Sequence, residues 1–354
     1  MRALYKYGAE AHATELREIP EPSIVREDDV KIAVSMTAVC GMDIHIYHGK
    51  FACTPPFVMG HEFVGTVAAL GPKTEGLALG DRVVAQPHHG ACGACAVCLA
   101  GAPQLCNEKR SLGISRDGAM ADFVVVPSRY LHRIPSNIPD ALATLIEPMT
   151  LVVDDFSRAG LKTGDTVVII GAGQVALLAV VAVKAAGASR VIVVGVDQDI
   201  PKRLPAAKAL GADYVFIAGQ DDIRKEVSNL TDGNGVDMVM EASGSEEGIA
   251  TAVDIVRVCG TLCLLGMTRK PGITVAWDSM MKKILNLKFN MMSDYVAIDK
   301  AIKIFANAKT NLFPLISHMV PLEDWKEVFE ELTAGKGIKA VLTIGETSKG
   351  RVRE

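Results

Sequence analysis

The sequence predicts a two-domain chain: a β-rich domain, then an α/β domain built on a doubly wound parallel sheet. Three observations carry this. Short β segments punctuated by Pro, Gly and Asp fill the first part of the chain. From about Leu151 the rhythm changes to apolar strands alternating with helical segments, the mark of βαβ units. The chain has 354 residues, room for about two domains at roughly 100–200 residues each.

In chain order, residues 30–39, 63–70, 81–85 and 123–127 read as strands, each a β-branched or apolar run between turn residues. The second domain opens with a strand at 165–170 and a helix at 174–187, followed by a strand at 190–194 and a helix at 200–210 that ends at Gly211. A strand at 214–216, a helix at 223–230, a strand at 236–240, a helix at 245–259 and a strand at 261–265 continue the alternation. Helices at 298–308 and 322–334 follow, and 339–344 is a strand able to rejoin the first domain. The expected division is 1–150 with 292–354 for the β-rich domain and 151–291 for the α/β domain.

Composition excludes several classes. Hydrophobic residues make up 49% of the chain and the net charge is −4, from 37 basic and 41 acidic residues. That rules out intrinsic disorder and lacks the basic footprint of a nucleic-acid binder. The N-terminal stretch MRALYKYGAEAHATE has no apolar signal-type core, so a cytoplasmic location is expected. Residues 167–183 are almost continuously apolar, but a span needs about 20 residues. A Gly-Ala-Gly break and Gln174 interrupt the run, so it reads as a buried strand turning into a buried helix, with no membrane partner.

Eight cysteines occur, four of them within ACGACAVCLAGAPQLC: Cys92, Cys95, Cys98 and Cys106. Without a secretion signal, thiolates at two-residue intervals suit a metal better than disulfides. The C-x2-C-x2-C spacing places three sulfurs around one ion and Cys106 closes the fourth corner, giving a structural zinc lobe at about 88–110. His88 and His89 adjoin this lobe and read as structural or surface residues, because four sulfurs fill the shell. Cys259 and Cys263 read as buried small hydrophobes. Met280, Met281, Met291 and Met292 read as adaptable core or subunit-contact packing, with Trp277 beside them.

Gly171-Ala-Gly173, followed by Gln174, Val175 and Ala176, lies between a strand and a helix, as a dinucleotide-binding turn requires. The first glycine permits the tight turn, the second admits a pyrophosphate, and the helix N-terminus presents unpaired N–H groups to it. The next strand should end in a carboxylate for the adenosine ribose; Gly195 stands there. Asp197 or Asp199 can fold back to the ribose and favour NAD, whereas Lys202 and Arg203 can neutralise the 2′-phosphate of NADP. NAD is favoured because the acids come first.

Cys40, His61 and Glu147 supply a thiolate, an imidazole and a carboxylate, a set that holds zinc and leaves one position open. Zinc there lowers the pKa of a bound alcohol, and a nicotinamide accepts the hydride.

With these pieces in order, the chain resembles the zinc-containing medium-chain dehydrogenases/reductases, nearest the branch of sorbitol, other polyol and threonine dehydrogenases. The matching residues are the Cys40-Gly-x-Asp43-x-His45 segment, Gly60-His61-Glu62, the four-cysteine lobe, Ile146-Glu147-Pro148 and Gly171-x-Gly173-x-x-Ala176. The resemblance implies a GroES-like catalytic domain plus a Rossmann domain, two zinc ions, and NAD or NADP. It makes Cys40 and His61 zinc ligands, Glu62 and Glu147 the carboxylates that bind zinc or exchange with water, and Asp43 and His45 part of the catalytic surround. Glutamate at 147 points to polyol, sugar or amino-alcohol substrates, and the family implies a homodimer or homotetramer.

Three departures qualify it. The family usually has Ser or Thr two residues after the zinc cysteine, to pass the alcohol proton toward the histidine; here it is Met42, which has no proton to donate. Gly195 replaces the ribose carboxylate. Asp154-Asp155 stand where relatives usually have a histidine followed by a small residue. The expected activity is reversible oxidation of a secondary alcohol to a ketone. The competing readings are a catalytically reduced nucleotide-binding relative, which Met42 alone favours, and a zinc-free quinone reductase, which the ligand set disfavours.

Overall fold

The computed structural model describes residues 1–345 and the short strand Val352–Arg353. Two compact units emerge. The first comprises Met1–Glu147, Asp294–Ala306 and Ile316–Glu354; the second comprises Pro148–Ser293 and Asn307–Leu315.

The strand Asp29–Ala38 organises the first unit. Its even positions Val30, Ile32 and Val34 are buried and the residues between them less so, the period-two pattern of a sheet with one face on a core. It pairs antiparallel with Glu62–Leu70, Phe123–Pro127 and Ala340–Thr343. The core beneath gathers Phe57, Phe63, Met120 and Phe329. The strand Ala340–Thr343 thus pairs back into the first unit, as its apolar run predicts, and lies parallel to His318–Pro321.

Register here positions chemistry. Ala38 faces Glu62 on one side and Val341 on the other. The end of one strand, just before Cys40, therefore meets the start of a second at His61-Glu62 and of a third at Lys339. The bond from Val39 N–H to Ala340 O (2.9 Å) fastens this corner.

The second unit holds a six-stranded, wholly parallel sheet. Its spatial order is Tyr214–Ile217, Arg190–Gly195, Thr166–Ile170, Val236–Glu241, Val256–Leu264, Asn286–Phe289. Chain direction across the sheet reverses between Thr166–Ile170 and Val236–Glu241, and ligands bind beyond the strand ends at such a switch. The central strands Thr166–Ile170 and Arg190–Gly195 are buried after their first residue, as strands covered on both faces are. The apolar run at 167–183 divides into a strand and the helix Gln174–Ala185. Among the described residues no helix is long and apolar enough to cross a membrane.

Three expectations need correction. The helix expected at 245–259 ends at Ile255, and Val256–Leu264 is one strand. Val256 and Val258 favour extended backbone, and pairing with Val236–Glu241 supplies it. Cys259, at φ +57, is exposed instead of buried, whereas Cys263 is fully buried. The helix expected at 200–210 starts later, at Arg203, after a 3-10 turn at Asp197–Asp199. The break falls at Lys202, the cap of the helix, whose φ of −132 departs from helical backbone.

Candidate active site and cofactor pocket

The corner where the three strand ends meet brings Cys40, His61 and Glu62 together. Cys40 caps the helix Gly41–Tyr47, and its backbone N–H donates to Asp43 Oδ2 (2.9 Å). Gly60, at φ +89, makes the turn that delivers His61. A Cβ there would sit 2.5 Å from Met120, so glycine alone fits. Thr37 donates to Glu62 O (3.0 Å) and holds the opposite strand in register.

One ligand atom each from Cys40, His61 and Glu62 lies within 4.8 Å of the others. His61 Nδ1 stands 3.9 Å from Asp43 Oδ1, with both residues buried. Neither of these two atoms has a hydrogen-bond partner among the described residues. Sulfur, nitrogen and oxygen donors converging beside orphaned polar atoms fit a zinc ion. Glu147 lies outside this tightest group, yet its charge acts on His61.

Electrostatics bind the cluster together. Burial and then Glu62 push the Cys40 thiol up, against the pull of His61. Burial opposes a charged His61, but Cys40, Asp43 and Glu147 hold its pKa well above the ordinary value. Burial raises the Glu147 carboxyl to about 7; His61 pulls it down and Glu62 pushes it up.

Sequence reasoning missed Lys339. It is 1% exposed, and its ammonium forms an ion pair with the fully buried Glu62 carboxylate. The available signal was a lone cation at the start of an otherwise apolar strand. Met42 is half-buried against the core of this unit, and His45 lies half-buried on the same helix as Asp43.

The four lobe cysteines converge as expected. Sulfur separations of 3.6 Å (Cys92–Cys106), 3.8 Å (Cys95–Cys106) and 4.0 Å (Cys92–Cys98) match the ~3.8 Å edge of a tetrahedron with 2.3 Å Zn–S bonds. The N–H groups of Cys92 and Cys95 point at Cys106 and Cys92 sulfurs (3.4 Å each). Such donors favour thiolate, and the first of them leads in bringing Cys106 down to about 6. His89 is buried beside the lobe and not a surface residue.

In the second unit a cavity of about 570 Å³ opens at the switch point. Gly171, Gly173, Gly195, Asp199, Arg203 and Ser243 are among its lining residues. Gly171, at φ +110, makes the turn, and Gly173 caps the helix. Gln174 and Val175 fall in that helix's first turn, where backbone N–H groups and not side chains address a phosphate. Neither is among the residues lining the cavity, and neither is Asp197. Asp197 accepts from Gln220 Nε2 (2.7 Å) instead. Asp199 folds back: Oδ2 accepts from Val196 N–H (3.0 Å), and Oδ1 meets Arg203 Nη1 (3.1 Å). Asp199 Oδ2 lies 3.2 Å from where a Cβ on Gly195 would be.

Comparison with known proteins agrees with this geometry. Residues 26–136 match the alcohol dehydrogenase GroES-like domain, and residues 175–307 match the zinc-binding dehydrogenase domain. A sorbitol dehydrogenase of Halalkalibacterium halodurans is 32% identical over 97% of this chain and 99% of its own. An L-threonine 3-dehydrogenase of Pyrococcus horikoshii is 34% identical over 96% of each. Among solved structures, alcohol dehydrogenase TADH from Thermus sp. ATN1 superposes with a TM-score of 0.88 at 29% identity, covering 98% of this chain and all of that one. The chain belongs to the zinc-dependent medium-chain dehydrogenase/reductase family. Within it, the similarity falls on the polyol and threonine branch, whose named members are oxidoreductases acting on CH–OH groups.

Proposed function

We propose that this chain oxidises a secondary alcohol of a polyol, sugar derivative or amino alcohol to a ketone, reversibly, with NAD or NADP. The convergence of Cys40, His61 and Glu62 within 4.8 Å carries this reading. Those residues and Glu147 would hold a zinc ion, which supplies Lewis acidity at the substrate oxygen; nicotinamide supplies the hydride acceptor. Cys92, Cys95, Cys98 and Cys106 would hold a second, structural zinc. Asp43 acts on His61 by charge, its Oδ1 standing 3.9 Å from Nδ1. With Met42 in the relay position, the proton leaves through water toward His45. The catalytically reduced alternative leaves the gathered ligands without a use.

For the cofactor, Asp199 supports NAD. Its carboxylate lies beside the strand end, Oδ2 3.2 Å from where a Gly195 Cβ would be, so it can supply from the loop the acid that the strand end lacks. Asp199→Asn is expected to narrow the preference for NAD over NADP by about tenfold, the worth of ~1.4 kcal/mol in one charged hydrogen bond. An unchanged ratio of kcat/KM values removes Asp199 from the ribose site.

A homodimer or homotetramer suits the exposed Trp277, Met281, Phe289 and Met291 near the edge strand Asn286–Phe289. Light scattering should give a multiple of 37.7 kDa. The deciding experiment is metal analysis with reduction of NAD⁺ and NADP⁺ across an alcohol panel. About two zincs per chain with turnover supports the proposal; cofactor binding without turnover on any alcohol overturns it.

A further inference from the structure

Two histidines of the first unit meet at its surface, at the opposite end of the helix that Cys40 caps. His12 lies in the turn between the strands Arg2–Lys6 and Thr14–Glu18, and His48 is the C-cap of the helix Gly41–Tyr47. His12 Nε2 stands 3.1 Å from His48 Nδ1, with ring centroids 5.2 Å apart and planes at 77°. The surroundings hold the pair in place. His12 N–H donates to Tyr47 O (2.6 Å), and the centroid of the Tyr47 ring lies 4.7 Å from that of His12. His12 adopts φ +64, a left-handed conformation that costs a residue with a bulky side chain and persists where neighbours fix it.

Hydrogen bonding also decides which nitrogen of His48 carries the proton. Thr333 donates its hydroxyl to Phe329 O (2.7 Å), so the hydroxyl oxygen accepts at its 3.0 Å contact with His48 Nε2. Nε2 is therefore the protonated nitrogen, and Nδ1 keeps a lone pair aimed at His12. Burial first, then His12 and Lys50, lower the His48 pKa against the charge of Glu330, which leaves the ring neutral near pH 7. His12 is exposed and His48 half-buried, so solvent reaches the pair. A single proton on His12 Nε2 joins the two rings.

We propose that a divalent late first-row transition-metal ion takes the place of that proton, bound by His12 Nε2 and His48 Nδ1, with water in its remaining positions. Imidazole nitrogen suits nickel, copper and zinc of this series. With metal–nitrogen bonds of about 2.0–2.1 Å, nitrogens 3.1 Å apart subtend about 100° at the ion, an angle between the tetragonal and tetrahedral values. The exposed His12 moves its proton to Nδ1 and tilts so that both lone pairs meet at the ion. The site uses none of the proposed zinc ligands and goes beyond the dehydrogenase reading, since it requires no turnover. An ion there would clasp the N-terminal hairpin to the helix whose first turn carries Asp43.

The test titrates protein of verified zinc content with Ni²⁺ at about pH 7.5 by calorimetry, and then measures nickel and zinc per chain. Wild type should take up one nickel in the micromolar range without releasing zinc. His12→Asn, which tolerates the left-handed backbone and lacks the ring, should weaken uptake at least ~10-fold, and so should His48→Gln. Nickel should raise the melting temperature of wild type and of neither variant. Uptake should also vanish at about pH 5.5, where protons compete for both rings. Because His12 is exposed, His12→Asn carries the test if His48→Gln does not fold. No uptake by wild type, uptake matched by zinc release, or uptake unchanged in His12→Asn overturns the inference and leaves the two rings joined by a hydrogen bond alone. None of these readouts depends on alcohol oxidation, so failure here leaves the dehydrogenase reading standing.

Discussion

Asp155 offers the sharpest test of how this fold tolerates an unusual residue. It lies on the helix Ile146–Ala159, is fully buried, and neither carboxylate oxygen has a hydrogen-bond partner among the described residues. Its neighbour Asp154 is provided for, with Arg158 Nε at 2.8 Å and Asn290 Nδ2 at 3.2 Å. Burial first, then the charge of Asp154, raise the Asp155 pKa to about 7 from an ordinary 3.8, against the pull of Arg158. The folded state therefore holds this proton more tightly than the unfolded chain. Stability from it is complete below pH ~4 and is lost as pH rises through about 7. Three pKa units at 1.36 kcal/mol each set a ceiling of about 4 kcal/mol, with roughly 2–3 kcal/mol of it between pH 5 and pH 8. Replacing Asp155 with Ala, a small residue of the kind relatives usually carry beside their histidine, removes this term. Urea unfolding of wild type and Asp155→Ala should be measured in parallel from pH 5 to pH 8. The variant should gain on wild type steadily as pH rises, toward a total near 2–3 kcal/mol. Contributions from zinc ligands cancel in the comparison. A difference that stays flat with pH refutes the reasoning, because it means the carboxylate is solvated or paired when charged.

Three further outcomes follow from the first unit. Lys339→Met leaves the buried Glu62 carboxylate without its cation and should cost about 3–5 kcal/mol in unfolding experiments, with the double variant Lys339→Met, Glu62→Gln recovering most of it. Met42→Thr restores a hydroxyl where the relay lacks one and should raise kcat or shift its pH profile, by up to the ~10²-fold low end of general acid–base assistance; superimposable pH–rate curves would show that water already does the work. Cys98→Ser should lower bound zinc from about two to one per chain and reduce the melting temperature while leaving the second unit's affinity for NAD near wild type, as calorimetry can verify.

Most of the architecture was legible because its signals are local. Strand–turn–helix rhythm gave the second unit, and Cys92, Cys95, Cys98 and Cys106 announced themselves by spacing alone. The helix expected through Cys259 overran because apolar periodicity does not separate a helix end from the β-branched strand that follows directly, and the pairing partner decides. Asp197 and Asp199 were indistinguishable by composition. Only the loop path shows that one meets Gln220 and the other turns back to Gly195. Lys339 was hidden for a different reason: its partner Glu62 is remote along the chain, and antiparallel pairing alone brings the two together. His88 and His89 look alike in sequence, and their difference lies in which ring nitrogens find partners.

The corner at Ala38, Glu62 and Val341 also sets the order in which the molecule can be finished. Cys40, His61 and Glu62 leave the ribosome well before the segment carrying Lys339 and its strand. Until that segment docks, Glu62 lacks the Lys339 countercharge and the Met36–Ala38 end of the strand stands open on one side. A nascent or truncated chain lacking the strand Ala340–Thr343 would therefore gather the proposed zinc ligands beside an unbalanced acid, and such a product should hold zinc less well and pair edge to edge with its own kind.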